Sequence, residues 1–291
     1  MKIYLKLFRV SQWIKNFFVF VPLLFSLHLF EEDFFITAFR AFIAFCLASS
    51  FVYVINDIVD QDADRAHPEK KNRPIASGKV SVSTALFLAA LLLVFIILLM
   101  FSFNLTFNIA VIGFLLLNIL YSFWFKHIVI LDVFSIAAGF ALRVLGGAFA
   151  IDVEISSWLI LTTMFISLFL GVMKRHSELS IAPDEGNSTT RKVLQYYSID
   201  FANQMATVAA AGVIICYALY SVANRTITVF GTENLIYTTP FVVFGIFRYM
   251  YLVYKFDKGE NTTRIMVTDI PMIVTIISDI IVTVLIIYKV F

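Results

Sequence analysis

Apolar residues fall along this chain in long blocks, near 17–30, 36–56, 82–103, 105–123, 129–150, 157–173, 202–222, 234–254 and 267–288, and short stretches between them hold most of the charge. A bilayer core about 30 Å thick takes about 20 apolar residues per helical crossing. The pattern therefore predicts nine transmembrane helices, an all-α polytopic membrane protein. The first block is the weakest, being short and interrupted by Pro22. Only the region around Phe103 and Asn104 separates the third block from the fourth, which predicts a tight antiparallel hairpin.

Composition agrees. Hydrophobic residues make up 60% of the chain, charged residues 14%, and mean hydropathy is +0.90, outside the range of a soluble globular domain. No cleavable signal peptide is expected, because Lys2, Lys6, Arg9 and Lys15 crowd the start. Cys46 and Cys216 lie inside apolar blocks and read as inert core residues. Placing the N-terminus in the cytoplasm puts 17 of the 22 lysines and arginines on that side: four before residue 17, five over 57–80, Lys126, four over 174–200, and Lys255, Lys258 and Arg264. Arg225, Lys289 and the acids Glu31, Glu32, Asp33, Asp152, Glu154 and Glu233 fall on the other side. That asymmetry is the one expected for nine crossings, with the N-terminus inside and the C-terminus outside. The expectation is a single integral-membrane domain over 1–291, with cytoplasmic active-site loops near 57–80, 122–130 and 174–200.

The segment from Asn56 to Gly78 concentrates chemistry at a membrane boundary. It holds four aspartates and, counting His67, five basic residues. Charge this dense at the edge of an apolar helix is costly unless it binds something. Asn56, Asp60 and Asp64 are four apart, so a continuing helix stacks them on one face, with Asp57 beside it. Asp62 points elsewhere, toward solvent. Oxygen ligands on one stripe call for a cation, and Mg²⁺ suits carboxylates while keeping room for water and phosphate. Asn56, Asp57, Asp60 and Asp64 are the candidate metal ligands, with Asp60 and Asp64 the candidate catalytic pair. Arg65, Lys70, Lys71 and Arg73 follow and suit phosphate oxygens.

The order N-D-x-x-D-x-x-x-D, then R-x-H-P and N-R-P-I-A-S-G, resembles the UbiA superfamily of membrane prenyltransferases. That resemblance implies a nine-helix bundle whose first aspartate motif binds Mg²⁺ and a diphosphate on the cytoplasmic side. Ordinary members carry a second aspartate motif after the sixth helix. Here that place reads GVMKRHSEL, with Lys174, Arg175 and Glu178 and no aspartate pair. Together with Trp13, Lys15 and Asn16 in SQWIKN, and Tyr121, Lys126 and Asp132 in YSFWFKHIVILD, it is similar to the decaprenyl-phosphate phosphoribosyltransferase branch. The resemblance implies transfer of ribose 5-phosphate from phosphoribosyl pyrophosphate to a polyprenyl phosphate, in a prokaryotic plasma membrane. Prenyl transfer from a prenyl diphosphate to an aromatic or lipid acceptor is the alternative. No nucleic-acid partner is expected.

A donor with phosphate at both ends of a ribose needs a metal at one end and separate cations at the other. Lys15, Arg73, Lys126, Lys174 and Arg175 are the candidate phosphate grips, with Asn16, Tyr121 and Glu178 as further substrate-binding candidates. Lys15 and Lys126 serve equally well as orientation anchors. Glu178 either orients Arg175 or reaches ribose hydroxyls, and Asp132 either caps its helix or joins the site. Arg143 lies about 16 Å further along that helix, where it needs a partner that the sequence does not name. Arg248 raises the same question. The stretch 181–190, with Pro183, Asp184, Glu185 and Gly186, reads as a mobile loop over the donor.

Overall fold

The computed structural model describes residues 2–66, 70–181, 192–256 and 268–289. Among these residues the chain is helical and contains no strand. Among the described residues eight helices are long and apolar enough to cross a membrane. The helices are α1 (Lys2–Leu7), α2 (Val21–Leu24), α3 (Glu32–Val59), α4 (Gln61–Ala66), α5 (Val82–Met100), α6 (Leu105–Phe123), α7 (Leu131–Ala150), α8 (Ser157–Ile181), α9 (Ile199–Val222), α10 (Asn224–Phe230), α11 (Thr239–Phe256) and α12 (Ile270–Ile287).

Local chemistry sets several of the starts. Ser81, Asn104, Ser198 and Asp269 are N-caps whose side chains accept a backbone N–H of the first turn of α5, α6, α9 and α12. Glu32 and Asp33 place negative charge in the first turn of α3, where the helix dipole favours it.

The first apolar block folds differently from the expected 17–30 helix. Residues Val10–Phe20 form a 3₁₀ helix that passes into α2, bracketed by left-handed backbone at Arg9 (φ 48°) and Leu27 (φ 68°). Pro22 lies in the first turn of α2, where its missing N–H and fixed φ fit a helix start. A 3₁₀ helix rises about 2.0 Å per residue, so this stretch reaches about 22 Å. The expected hairpin is also altered. The connection is short, but α5 packs mainly on α3, and α6 on α7 and α3.

Two large apolar clusters divide the interior. One joins Val19, Phe42, Phe45, Ile96, Phe107 and Phe114. The other joins Val133, Phe169, Met173, Val213, Tyr249 and Val253. Helix α7 borders both and packs against the 3₁₀ helix, α3, α6 and α8. It can do so because it is rich in small residues, which let helix backbones approach closely in lipid. A Cβ on Gly147 would stand 2.1 Å from the Val19 carbonyl oxygen, and one on Gly146 would meet the Phe45 ring at 2.5 Å. Gly147 seats the N-terminal 3₁₀ helix, and Gly146 seats the Phe45 ring of α3. At the far end Tyr288 accepts the Leu29 N–H at 2.9 Å, joining the end of the last helix to the segment after α2.

Candidate active site

Helix α3 ends at Val59, with Asp60 as its C-cap, and α4 resumes at once. The Asp60 N–H reaches the Asn56 carbonyl at 2.9 Å and the Asp64 N–H the Asp60 carbonyl at 2.8 Å, so the four-residue register continues through the junction. Asp62 is 95% exposed and pairs with Arg65 at 3.3 Å. The loop that follows is pinned by Ile75 and Val80, which pack with Val54 of α3, and Gly78 (φ 73°) turns the chain. This fold of the loop sets Arg73 over the aspartates. Its guanidinium donates to Asp57 at 3.2 Å and to Asp64 at 2.5 Å. Arg9 donates to the same Asp57 oxygen, and Lys126, just beyond α6, donates to Asp60 at 2.6 Å. Asn56 is half-buried at the base of the group.

The carboxylates are thus neutralised by three cations in this arrangement. Among the described residues no three acids, histidines or cysteines converge to enclose a metal. The donor set nevertheless fits one. Asp57 is buried, and its second oxygen, Oδ2, has no hydrogen-bond partner. A buried carboxylate oxygen left unmatched costs free energy until something engages it. Carboxylate and amide oxygens are the ligands that Mg²⁺ prefers.

A second charged group lies at the same end of the bundle. Arg175 on α8 donates to Asp132 of α7 at 2.8 Å and to Glu178, one turn later. Tyr197 donates to the other Asp132 oxygen at 2.7 Å and accepts the Ile130 N–H at 2.8 Å. Burial and the bond to Asp132 push the Tyr197 phenol upward in pKa, so it holds its proton. This corrects the capping alternative for Asp132. The α7 cap is Ile130, which makes no side-chain cap bond, and Asp132 is fully buried in an ion pair. It also changes the setting of Arg175, which is 1% exposed and committed to two carboxylates instead of facing solvent as a phosphate grip. Lys174 is the more open cation, 3.9 Å from Glu178. Tyr121 lies within electrostatic reach of Arg175.

A third group lies deeper in the helices. Asn16 is fully buried, and its Oδ1 accepts from Arg143 Nε at 2.6 Å and from Ser49 at 3.2 Å, while its Nδ2 donates to Cys46 at 3.2 Å. Asn16 is therefore the partner that Arg143 lacked in the sequence. Lys15 is half-buried beside it, within electrostatic reach of both Arg143 and Arg9. Arg248 takes Asp269 as a two-pronged partner at 3.1 and 2.9 Å.

Sequence reasoning missed the role of Arg9 and the depth of the polar track. A signal existed: Cys46, Ser49, Tyr53, Asp57, Asp60 and Asp64 recur at three- and four-residue spacing and continue the aspartate face into the apolar block. The expected loop over the donor, at 182–190, lies outside the described residues, as do His67 and Pro68.

Residues 18–268 match the UbiA prenyltransferase family. The decaprenyl-phosphate phosphoribosyltransferase of Mycolicibacterium smegmatis is 36% identical over 259 residues, which cover 86% of this chain and 80% of that one. The protein of the same name from Corynebacterium glutamicum is 34% identical over 262 residues, covering 88% and 78%. A solved UbiA homolog from Archaeoglobus fulgidus, bound to GPP and Mg²⁺, has a TM-score of 0.73 over 98% of this chain and 99% of that one, at 18% identity, and so shares its fold. The chain is an integral membrane transferase that belongs to the UbiA prenyltransferase family, with curated relatives among the decaprenyl-phosphate phosphoribosyltransferases.

Proposed function

We propose that this protein transfers ribose 5-phosphate from phosphoribosyl pyrophosphate to a polyprenyl phosphate and releases diphosphate. The observation that carries this reading is the second charged group. Where a second metal-binding acid pair would be expected, Lys174 stands open beside Glu178, and Glu178 is held by a buried Arg175. A cation next to a fixed carboxylate suits a phosphorylated sugar, whose phosphate and hydroxyls need both. The names of the curated relatives support the same donor and acceptor.

In this reading the chain is one membrane-embedded unit, with the loops near 57–80, 122–130 and 174–200 on the cytoplasmic side, as the basic residues favour. Asn56, Asp57, Asp60 and Asp64 would hold Mg²⁺, which when bound supplies positive charge to the diphosphate leaving group. Arg73 and Lys126, released from the carboxylates as substrate enters, take phosphate oxygens. Lys174 grips the donor, Glu178 orders its ribose hydroxyls, Tyr121 lines the same group, and Arg175 is a positioning residue. An oxygen of the lipid phosphate forms the new bond to C1 of the ribose while the bond from C1 to the diphosphate oxygen breaks. The electron pair leaves with diphosphate. The attacking phosphate is already ionised, so no general base is needed, and catalysis comes from placement and charge.

The test offers purified protein with Mg²⁺ two labelled donors in separate reactions: phosphoribosyl pyrophosphate with polyprenyl phosphate, and a prenyl diphosphate with aromatic or lipid acceptors. Label should enter the lipid phase in the first. Transfer only in the second would establish prenyl transfer instead.

A further inference from the structure

Two arginines are buried among the described residues, and their surroundings differ in kind. Arg175 faces two carboxylates. Arg143, set in the middle of α7, donates only to neutral acceptors: Asn16 Oδ1 at 2.6 Å, the Gly139 carbonyl at 2.9 Å and Ser49 Oγ at 3.4 Å. Its guanidinium lies 4.5 Å from the Phe114 ring centre and 5.1 Å from that of Phe140. Lys15, close by, has no ion pair among the described residues. Arg9 and Arg73 are balanced by Asp57 and Asp64, and Lys126 by Asp60. Two positive charges, Lys15 and Arg143, therefore remain without a counter-charge at membrane depth, where an unmatched ion marks a functional site.

We infer that Lys15 and Arg143 together bind a phosphate monoester, the headgroup of the polyprenyl phosphate acceptor. Charge decides the class of ligand. A phosphate monoester carries about two negative charges at neutral pH, which matches the two unbalanced cations. Position favours the lipid over the 5-phosphate of the donor. Arg143 lies within a membrane-spanning helix, about 16 Å from Asp132 along the axis, with the apolar rings of Phe114 and Phe140 beside its guanidinium. Lys15 is within electrostatic reach of both Arg143 and Arg9, and Arg9 pairs with Asp57, which links this pair of cations to the aspartate end where the donor reacts. Asn16 and Ser49 aim the guanidinium; they are positioning residues. This assignment rests on the phosphoribosyl-transfer reading for the identity of the lipid, and its test does not depend on transfer.

The experiment measures equilibrium binding of farnesyl phosphate and of ribose 5-phosphate to purified parent protein, Lys15→Gln and Arg143→Gln, in EDTA so that metal-dependent diphosphate binding is silent. Farnesyl phosphate should bind the parent, and its Kd should rise at least tenfold in either variant. Ribose 5-phosphate in the same buffer, and phosphoribosyl pyrophosphate in a separate titration with Mg²⁺ and no EDTA, should change less than twofold. Unchanged farnesyl phosphate affinity in both variants overturns the assignment, as does selective loss of ribose 5-phosphate binding. If Arg143→Gln does not fold, the half-buried Lys15→Gln decides alone. A protein that fails to transfer phosphoribose yet loses farnesyl phosphate in these variants refutes the donor and leaves the anion site standing.

Discussion

Asp57 and Asp132 are both buried aspartates at the charged end of the bundle, and both meet an arginine. Asp132 has both oxygens engaged, one by Arg175 and one by Tyr197, and the pair ties the start of α7 to the end of α8. Asp57 carries Arg9 and Arg73 on one oxygen and nothing on the other. Its neighbours Asp60 and Lys126 retain partial exposure, 27% and 11%. A saturated, fully buried network resists exchange, because removing one partner strands a charge. A network with an unmatched oxygen and cations on loop residues can trade partners. The Asp57 group can exchange partners; the Asp132 group holds its shape and fixes Arg175 against Glu178.

Substitutions can break that contrast, and the largest effect belongs to the first group. Asp64→Asn should lower transfer by at least about 10³-fold, the scale of a lost metal contact to the leaving group, with little change in thermal midpoint because Asp57 still holds Arg73. Activity near that of the parent in a labelled-lipid assay would remove Asp64 from the site. Arg175→Met should act on stability first. It takes from the fully buried Asp132 its cation, which costs about 3–5 kcal/mol, visible as a large fall in unfolding temperature in detergent. Adding Asp132→Asn should recover part of it. Gly147→Ala should cost about 1–3 kcal/mol by overpacking against the Val19 carbonyl, read by the same melts.

Smaller still, Tyr197→Phe removes the bond to Asp132 and the one from the Ile130 N–H and should cost about 1–2 kcal/mol. It carries a pH signature. The buried phenol titrates above its ordinary value near 10, so its stabilising contribution is complete below that pH and declines as pH rises past it. The phenylalanine variant should lose stability less steeply in alkali. At the bottom of the scale, Asp62→Asn breaks only an exposed pair and should shift stability by less than about 0.5 kcal/mol and leave transfer intact. A large loss of transfer would mean that the stripe of ligands is drawn wrongly.

What was legible in the sequence follows from range. The eight long helices could be read because a twenty-residue apolar block announces itself, and the aspartate stripe because its members are one turn apart. The pairing of Asn16 with Arg143 spans 127 residues, and that of Lys126 with Asp60 spans 66, so no local spacing encodes either. Arg248 finds Asp269, the N-cap of α12, for the same reason. The N-terminal segment misled because apolar content alone does not distinguish a 3₁₀ helix from an α-helix.

The contact between Gly147 and the Val19 carbonyl also has a bearing on biosynthesis. Residues 10–20 are made before the surface they rest on, which follows about 130 residues later, on the order of 10 s at roughly 5–20 residues per second. Until α7 arrives, the first apolar segment has no seat, and Asn16 has no arginine to receive. The Asn16–Arg143 contact is therefore assembled late, by a segment that waits in the membrane or its interface for a helix from the middle of the chain.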